Sequence, residues 1–165
     1  MPHPAALPID ELLADCRVDR TRGSGPGGQH RNKTETAIVI THLPTGVRGE
    51  ASERRSQGEN LAQAKFRLRL ELTIEVRAPR GEAPSPLWGG RVGGERITVS
   101  PTHDDFPAIL AEALDCLAAE EWSATAAAAW LGISTSQLVK LLKLAPLALG
   151  RLNAEQAAKG LRPYR

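Results

Sequence analysis

Residues 22–42 read RGSGPGGQHRNKTETAIVITH, and the order of the two halves of that stretch decides the fold. The first half, Arg22 to Lys33, holds four glycines, one proline, three basic side chains and no acid. Ordered glycine loses more backbone entropy than any other residue, and Pro26 has no N–H to donate, so no regular element is expected there. The expectation is a loop with usable main-chain N–H groups. Gly27 and Gly28 carry no Cβ, so a large partner can approach their backbone closely. Arg22, Arg31 and Lys33 suggest that the partner carries phosphate. The second half, Thr36 to His42, is rich in β-branched residues and reads as the best strand in the chain. Gly23, Gly25 and Gly28 satisfy GxGxxG, yet a dinucleotide site needs a helix directly after the glycines to receive the pyrophosphate. A strand comes next instead and no βαβ unit is present, which excludes that reading. Composition alone leaves a second alternative, a flexible surface loop with basic decoration.

Outward from this stretch the chain has two characters. Before it, Pro8-Ile9-Asp10 leads into a short helical turn with Asp10 as cap, and Cys16 to Arg20 is a short strand. After it, Leu43-Pro44-Thr45-Gly46 is a turn from which Val47 to Ala51 returns as a hairpin. Ser56 and Glu59 fit a capping box, opening a helix over about 57–77. In that helix Leu61, Leu68 and Leu72, or Phe66, Leu70 and Ile74, lie at helical spacing. Residues 78–95 hold five glycines and three prolines and read as a linker or long surface loop with poor order, which Trp88 could pin to the body. Arg96 to Val99 is a short edge strand. Asp104 or Asp105 caps a helix to about Glu120, with Phe106, Ile109, Leu110, Ala113, Leu114 and Leu117 inside. Ser123 to Leu131, Gly132-Ile133 and Ser134 to Leu144 then read as helix, tight turn, helix, with Ser134 and Gln137 as a second capping box. A last helix from about Leu147 to Lys159 ends at Gly160. The expected fold class is α+β: a small antiparallel sheet with a packed helix over residues 1–77, then a helix-turn-helix-like all-α module over 96–165.

Bulk properties bound the function classes. A net charge of +2 says little by itself, but its distribution is uneven. Residues 20–33 carry four bases and no acid, 122–165 carry six bases against Glu155, and 104–121 hold six acids and no base. Such a chain can present local positive surfaces. Cys16 and Cys116 lack metal-ligand spacing and read as buried reduced thiols, so no metal or cofactor is expected. The opening residues resemble neither a secretory signal nor a presequence, and no apolar run is long enough to cross a membrane, which makes a soluble cytoplasmic protein the expectation.

The wider pattern adds a specific resemblance. TRGSGPGGQHRNKTETAIVITHLPTGVRGEASERRSQGENLAQA closely resembles the catalytic domain of bacterial-type class-I peptide chain release factors. The Gly-Gly-Gln signature stands at Gly27, Gly28 and Gln29. Ser24-Gly25 flank it on one side, and His30 with Asn32-Lys33-Thr34 on the other. Thr41-His42-Leu43-Pro44-Thr45-Gly46 and Glu53-Arg54 with Arg55-Ser56-Gln57 match further on. Arg31 departs from the small or aliphatic residue often found there. The resemblance covers about residues 16–77 and implies hydrolysis of the peptidyl-tRNA ester in the ribosomal peptidyl-transferase centre. It implies the Gln29 main-chain N–H as the donor to the leaving 3′-oxygen, with the Gln29 side chain admitting water and serving as substrate for a glutamine methyltransferase.

Arg22, Ser24, Gly25, His30, Arg31, Asn32, Lys33, Arg54 and Arg55 are then expected contacts to ribosomal or transfer RNA. For Arg54 and Arg55 an ordinary solvated helix entry stands as the alternative. The resemblance implies large-subunit ribosomal RNA and peptidyl-tRNA as partners, no membrane, and a monomer. No stretch of the sequence reads as a codon-recognition domain, so codon-independent release from stalled ribosomes is the leading expectation. The alternative is a non-catalytic ribosome- or RNA-binding protein that keeps the loop. Residues 122–165 read as a small helical bundle, a ribosomal RNA docking module or, least, a DNA-binding module.

Overall fold

The computed structural model describes residues 1–21 and 36–165. It divides into two compact units, Leu7–Val76 on the one hand, and Met1–Ala6 with Arg77–Arg165 on the other.

The first unit is a three-stranded antiparallel sheet covered by a helix. Strand β1 (Cys16–Thr21) pairs with β2 (Ala37–His42), and β2 pairs with β3 (Arg48–Ala51). Period-2 alternation puts Gly49 and Ala51 of β3 inward, while Ile38 and Ile40 of β2 are fully buried beside them. Against this face lies α2 (Gln57–Glu75), which contributes Asn60, Ala64, Leu68 and Leu72 at four-residue spacing. Its N-cap is Ser56, whose Oγ accepts from the Glu59 N–H at 3.4 Å. The buried stripe therefore holds Leu68 and Leu72, but it begins at Asn60; Leu61, Phe66, Leu70 and Ile74 are only partly covered. The short helix α1 (Ile9–Ala14) has Pro8 rather than Asp10 at its N-cap, and it buries Leu12.

At the far end of the hairpin, away from Thr21 and Ala37, the turn after β2 is knotted around His42. Its ring nitrogen Nδ1 lies 2.7 Å from Thr45 Oγ1, its N–H donates to Val47 O, and its carbonyl accepts from the Gly46 N–H. Gly46 sits at φ 74°, where a side chain would be strained. Burial pushes the His42 imidazole below its ordinary pKa, against the opposing pull of Asp15.

The second unit is helical. Its centre is α4 (Phe106–Ala119), and all six residues expected inside are buried. The 3-10 turn Pro4–Ala6 packs on it, so the opening residues belong to this unit. Next in the chain are α5 (Ala124–Leu131), α6 (Thr135–Lys143) and α7 (Pro146–Ala158). Gly132 joins α5 to α6 at φ 72°, and Ser134 Oγ caps α6 through the Gln137 N–H. The reciprocal half of that expected capping box is replaced: Gln137 Oε1 accepts from the Ile97 N–H at 3.4 Å. Likewise Asp105 occupies the N-cap of α4 without a capping bond, because its carboxylate binds Arg91 at 2.7 Å. Cys116 is buried as expected, whereas Cys16 is only partly covered; both thiols are free.

Residues 78–95, expected to be poorly ordered, carry short elements of their own. They contain α3 (Pro86–Gly89) and β4 (Val92–Gly93), the latter paired with β5 (Arg96–Ile97). Acidic side chains of α4 and its C-terminal flank hold the segment. Asp115 Oδ1 accepts from the Ala78 N–H at 3.0 Å and lies 3.4 Å from Arg77. Glu112 accepts from the Ser85 N–H at 2.7 Å and its Oγ–H at 2.6 Å, and Glu120 pairs with Arg80. The Arg80 guanidinium also stacks 4.6 Å from the centre of the Trp130 ring. Trp88 is buried and donates its indole N–H to Leu131 O at 2.8 Å. Three of the six acids of 104–121 (Asp105, Asp115 and Glu120) thus pair with arginines of 77–91, and Glu112 holds Ser85. No described helix is long and apolar enough to cross a membrane.

Candidate functional site

Gly27, Gly28 and Gln29, with Arg22, Ser24, Gly25, His30, Arg31, Asn32 and Lys33, lie outside the described residues. The fold supplies the frame at both ends of that stretch. Thr21 and Ala37 are register partners at one end of the β1–β2 ladder. The chain that leaves β1 therefore rejoins the sheet beside its point of departure, at the opposite end from the His42 turn.

Thr36, the residue just ahead of β2, is fixed by a buried side chain. Asn60 is fully buried, and its Nδ2 donates to Thr36 O at 2.7 Å. The same nitrogen donates to Arg54 O at 2.9 Å, while Oδ1 accepts from the Arg54 N–H at 3.0 Å. Both amide N–H groups are thus used, and one lone pair of the carbonyl oxygen. A buried primary amide with this many partners is compatible with burial; unpartnered, it would cost about 1–3 kcal/mol for each stranded group.

Arg54 and Arg55 lie in the corner between β3 and α2, and both are exposed. Next to them, Glu53 is taken up by Arg67 at 2.5 Å, and Arg67 also donates to Glu50 O at 2.8 Å. The bond from Arg67 holds the Glu53 carboxyl down to about 2, so it stays ionised and neutralises Arg67 rather than the corner arginines. The corner consequently presents two solvent-facing guanidiniums, groups whose planar donors match phosphate oxygens. The structure links the Arg54 backbone to Thr36 through one side chain. Asn60 was missed by sequence reading, though a signal existed. It is a polar residue four positions before Ala64 on the stripe that continues to Leu68 and Leu72, and a buried polar group on such a stripe needs fixed partners.

Among the described residues no group of three or more His, Cys, Asp or Glu side chains is arranged to hold a metal ion. A cavity of about 330 Å³ in the second unit, beside Glu112, Asp115 and Trp130, has both carboxylates already committed to the 78–85 segment.

With that frame described, comparison with known proteins is decisive for the segment around it. Residues 8–85 match the model of the RF-1 domain. This part of the chain is an RF-1 domain. The RF-1 domain here includes β1, β2, β3 and α2, and so both ends of the glycine stretch. Peptide chain release factor 1 of Nitrosomonas europaea is 53% identical over 95 residues, covering 57% of this chain and 26% of that protein. Peptide chain release factor 1 of Acidiphilium cryptum is 46% identical over 108 residues, covering 65% of this chain and 30% of its own length. The counterpart from Nitrosomonas eutropha is 49% identical over 88 residues, with 51% and 24% covered. The chain thus matches less than a third of the length of each of these relatives.

Proposed function

We propose that this chain hydrolyses the peptidyl-tRNA ester on the ribosome without reading a codon, releasing peptides from stalled complexes. The observation that carries the reading is an RF-1 domain in which Gly27, Gly28 and Gln29 stand between β1 and β2. In the proposed reaction water attacks the ester carbonyl, and the 3′-oxygen of the terminal adenosine leaves with developing negative charge. The Gln29 N–H donates to that oxygen, and such a donor acts where the charge develops rather than on the ground state. Gly27 and Gly28 let the backbone approach RNA without a Cβ in the way. The Gln29 side chain favours water over larger nucleophiles and is the site a glutamine methyltransferase would modify. Arg54 and Arg55 contact phosphate and set orientation, as phosphate contacts generally do.

The test is release of labelled peptide from ribosomes with no stop codon in the decoding site, with wild type, Gly28→Ala and Gln29→Ala. Losing one such transition-state donor typically lowers the rate by about 10²–10³, so Gly28→Ala, which displaces it, should reduce release on that order. Undiminished release by both variants sinks the mechanism. Co-sedimentation with ribosomes in the absence of any release would assign the chain to non-catalytic ribosome binding instead.

A further inference from the structure

We propose that Asn60 is a positioning residue for the release reaction, its buried amide fixing the point where the glycine-bearing chain rejoins the sheet relative to the Arg54–Arg55 corner. The inference rests on the function proposed above and deepens it. Three observations carry it. Asn60 is fully buried, in the first turns of α2, on the stripe that packs the sheet. Its two amide N–H groups are divided between two separate pieces of chain, one going to Thr36 O and one to Arg54 O. Its oxygen accepts from the Arg54 N–H, so the corner is gripped on both its donor and its acceptor.

Ordinary core packing needs none of this. An alanine or leucine on the stripe would fill the space as Ala64 and Leu68 do one and two turns on. An amide does what an apolar side chain cannot: it sets Thr36 and Arg54 at fixed separation in a water-poor site, where hydrogen bonds are strong and directional. Thr36 is the first described residue after the glycine stretch, just ahead of β2, and Arg54 begins the exposed arginine pair. A displacement at Thr36 or Arg54 shifts the point where that chain joins the sheet relative to the exposed arginines. Misplacement by about 1 Å is enough to lower a rate by about 100-fold. Asn60 touches none of the reacting atoms; it acts through the two segments it joins.

The proposal is tested with three full-length variants. Asn60→Asp replaces a double donor by an acceptor facing two carbonyl oxygens. Asn60→Ser keeps a hydroxyl and leaves room for a bridging water, and carries the test should Asn60→Asp fail to fold. Leu72→Ala lies at the other end of the same helical stripe and weakens the unit while leaving the Asn60 bonds intact. Peptide release is measured at a temperature where all are folded, over a range of protein concentrations, and amide hydrogen exchange is followed at Arg54. The maximal release rate of the Asn60 variants should fall about 10- to 100-fold, with the half-saturating concentration changed less than about threefold, the signature of a lost transition-state interaction. The Arg54 amide should exchange faster, and Leu72→Ala should release at close to the wild-type maximal rate. If the Asn60 variants lose no more rate than Leu72→Ala, or the Arg54 amide is unaffected, Asn60 is structural only and the proposal is overturned. A silent wild type overturns the proposed function and this inference together, which separates the two failures.

Discussion

The sheet-facing glycine of β3 offers the sharpest stability test. Gly49 lies in an ordinary extended strand, so no special backbone angle demands glycine there. Space does. A Cβ built on it would come within 2.7 Å of Leu68 Cα, and closer still to Ala64 O and Leu68 N. All three are main-chain atoms of α2, which cannot rotate away as a side chain can. Real Cβ atoms essentially never approach within 3.0 Å, so in Gly49→Ala the strand and helix must separate by several tenths of an ångström at least. That movement loosens Ile38 and Ile40 against Leu68, all now fully buried. Inserting a methyl group into a packed core costs typically about 1–3 kcal/mol, and with backbone on the far side of the clash the upper end, about 3 kcal/mol, is expected. For a unit of this size each kcal/mol moves the midpoint by roughly 4–8 °C, so the transition of the sheet unit should fall by more than about 12 °C. Far-UV circular dichroism during thermal and urea unfolding, with amide exchange at Ile38 to Ile40, measures the shift and its free energy. Gly58→Ala is the control. The added Cβ meets only Ser56 Oγ at 3.6 Å, and alanine in the first turn of α2 should be neutral or stabilising by up to about 1 kcal/mol. A Gly49→Ala protein within about 1 kcal/mol of wild type would refute the close-approach reasoning.

Two further outcomes concern the helical unit, beside the release and Asn60 experiments above. Burial pushes the Asp115 carboxyl up to about 6 from 3.8, against the opposing pull of the Ala78 N–H and of Arg77. An acid whose folded pKa is raised stabilises the fold fully below its unfolded pKa, and that contribution is lost as pH rises through about 6. At about 1.36 kcal/mol per unit, wild type should lose up to about 3 kcal/mol between roughly pH 4 and 7 relative to Asp115→Asn; identical pH profiles in urea titrations would exclude it. Gly132→Ala should cost about 1 kcal/mol, and Gly132→Asn less, because the position is left-handed at φ 72° with open space around it; an unchanged melting midpoint for Gly132→Ala would contradict the strain argument.

Local signals were legible in the sequence and distant ones were not. The β-branched run of β2, the turn at Gly46 and the caps at Ser56 and Ser134 depend on residues within a few positions of each other. The structure has all four. The anchoring of 78–95 depends on pairs distant in the chain, such as Ser85 with Glu112, 27 residues apart, and Arg80 with Glu120, 40 apart. Glycine and proline content there was read as mobility because nothing local announces the carboxylates that receive the segment. Gln137 and Asp105 show the same limit. Each sits at a capping position, and each has its side chain drawn to a more remote partner. For the candidate site, the signature residues were found through resemblance, while Asn60 emerged only from the bonds that cross between segments.

The indole that pins 85–89 to α5 has an optical consequence. Trp88 shares the second unit with Trp122 and Trp130, which completes the chain's three tryptophans, and the single tyrosine, Tyr164, is there as well. The RF-1 sheet and its helix contain neither, so intrinsic emission is a reporter of the helical unit alone. A fluorescence melt would record α4 to α7 and pass over a collapsed β-sheet without a signal. The same silence is an opportunity: a tryptophan placed at exposed Leu43, 58% accessible in the turn after β2, would supply the local light source that the sheet unit lacks.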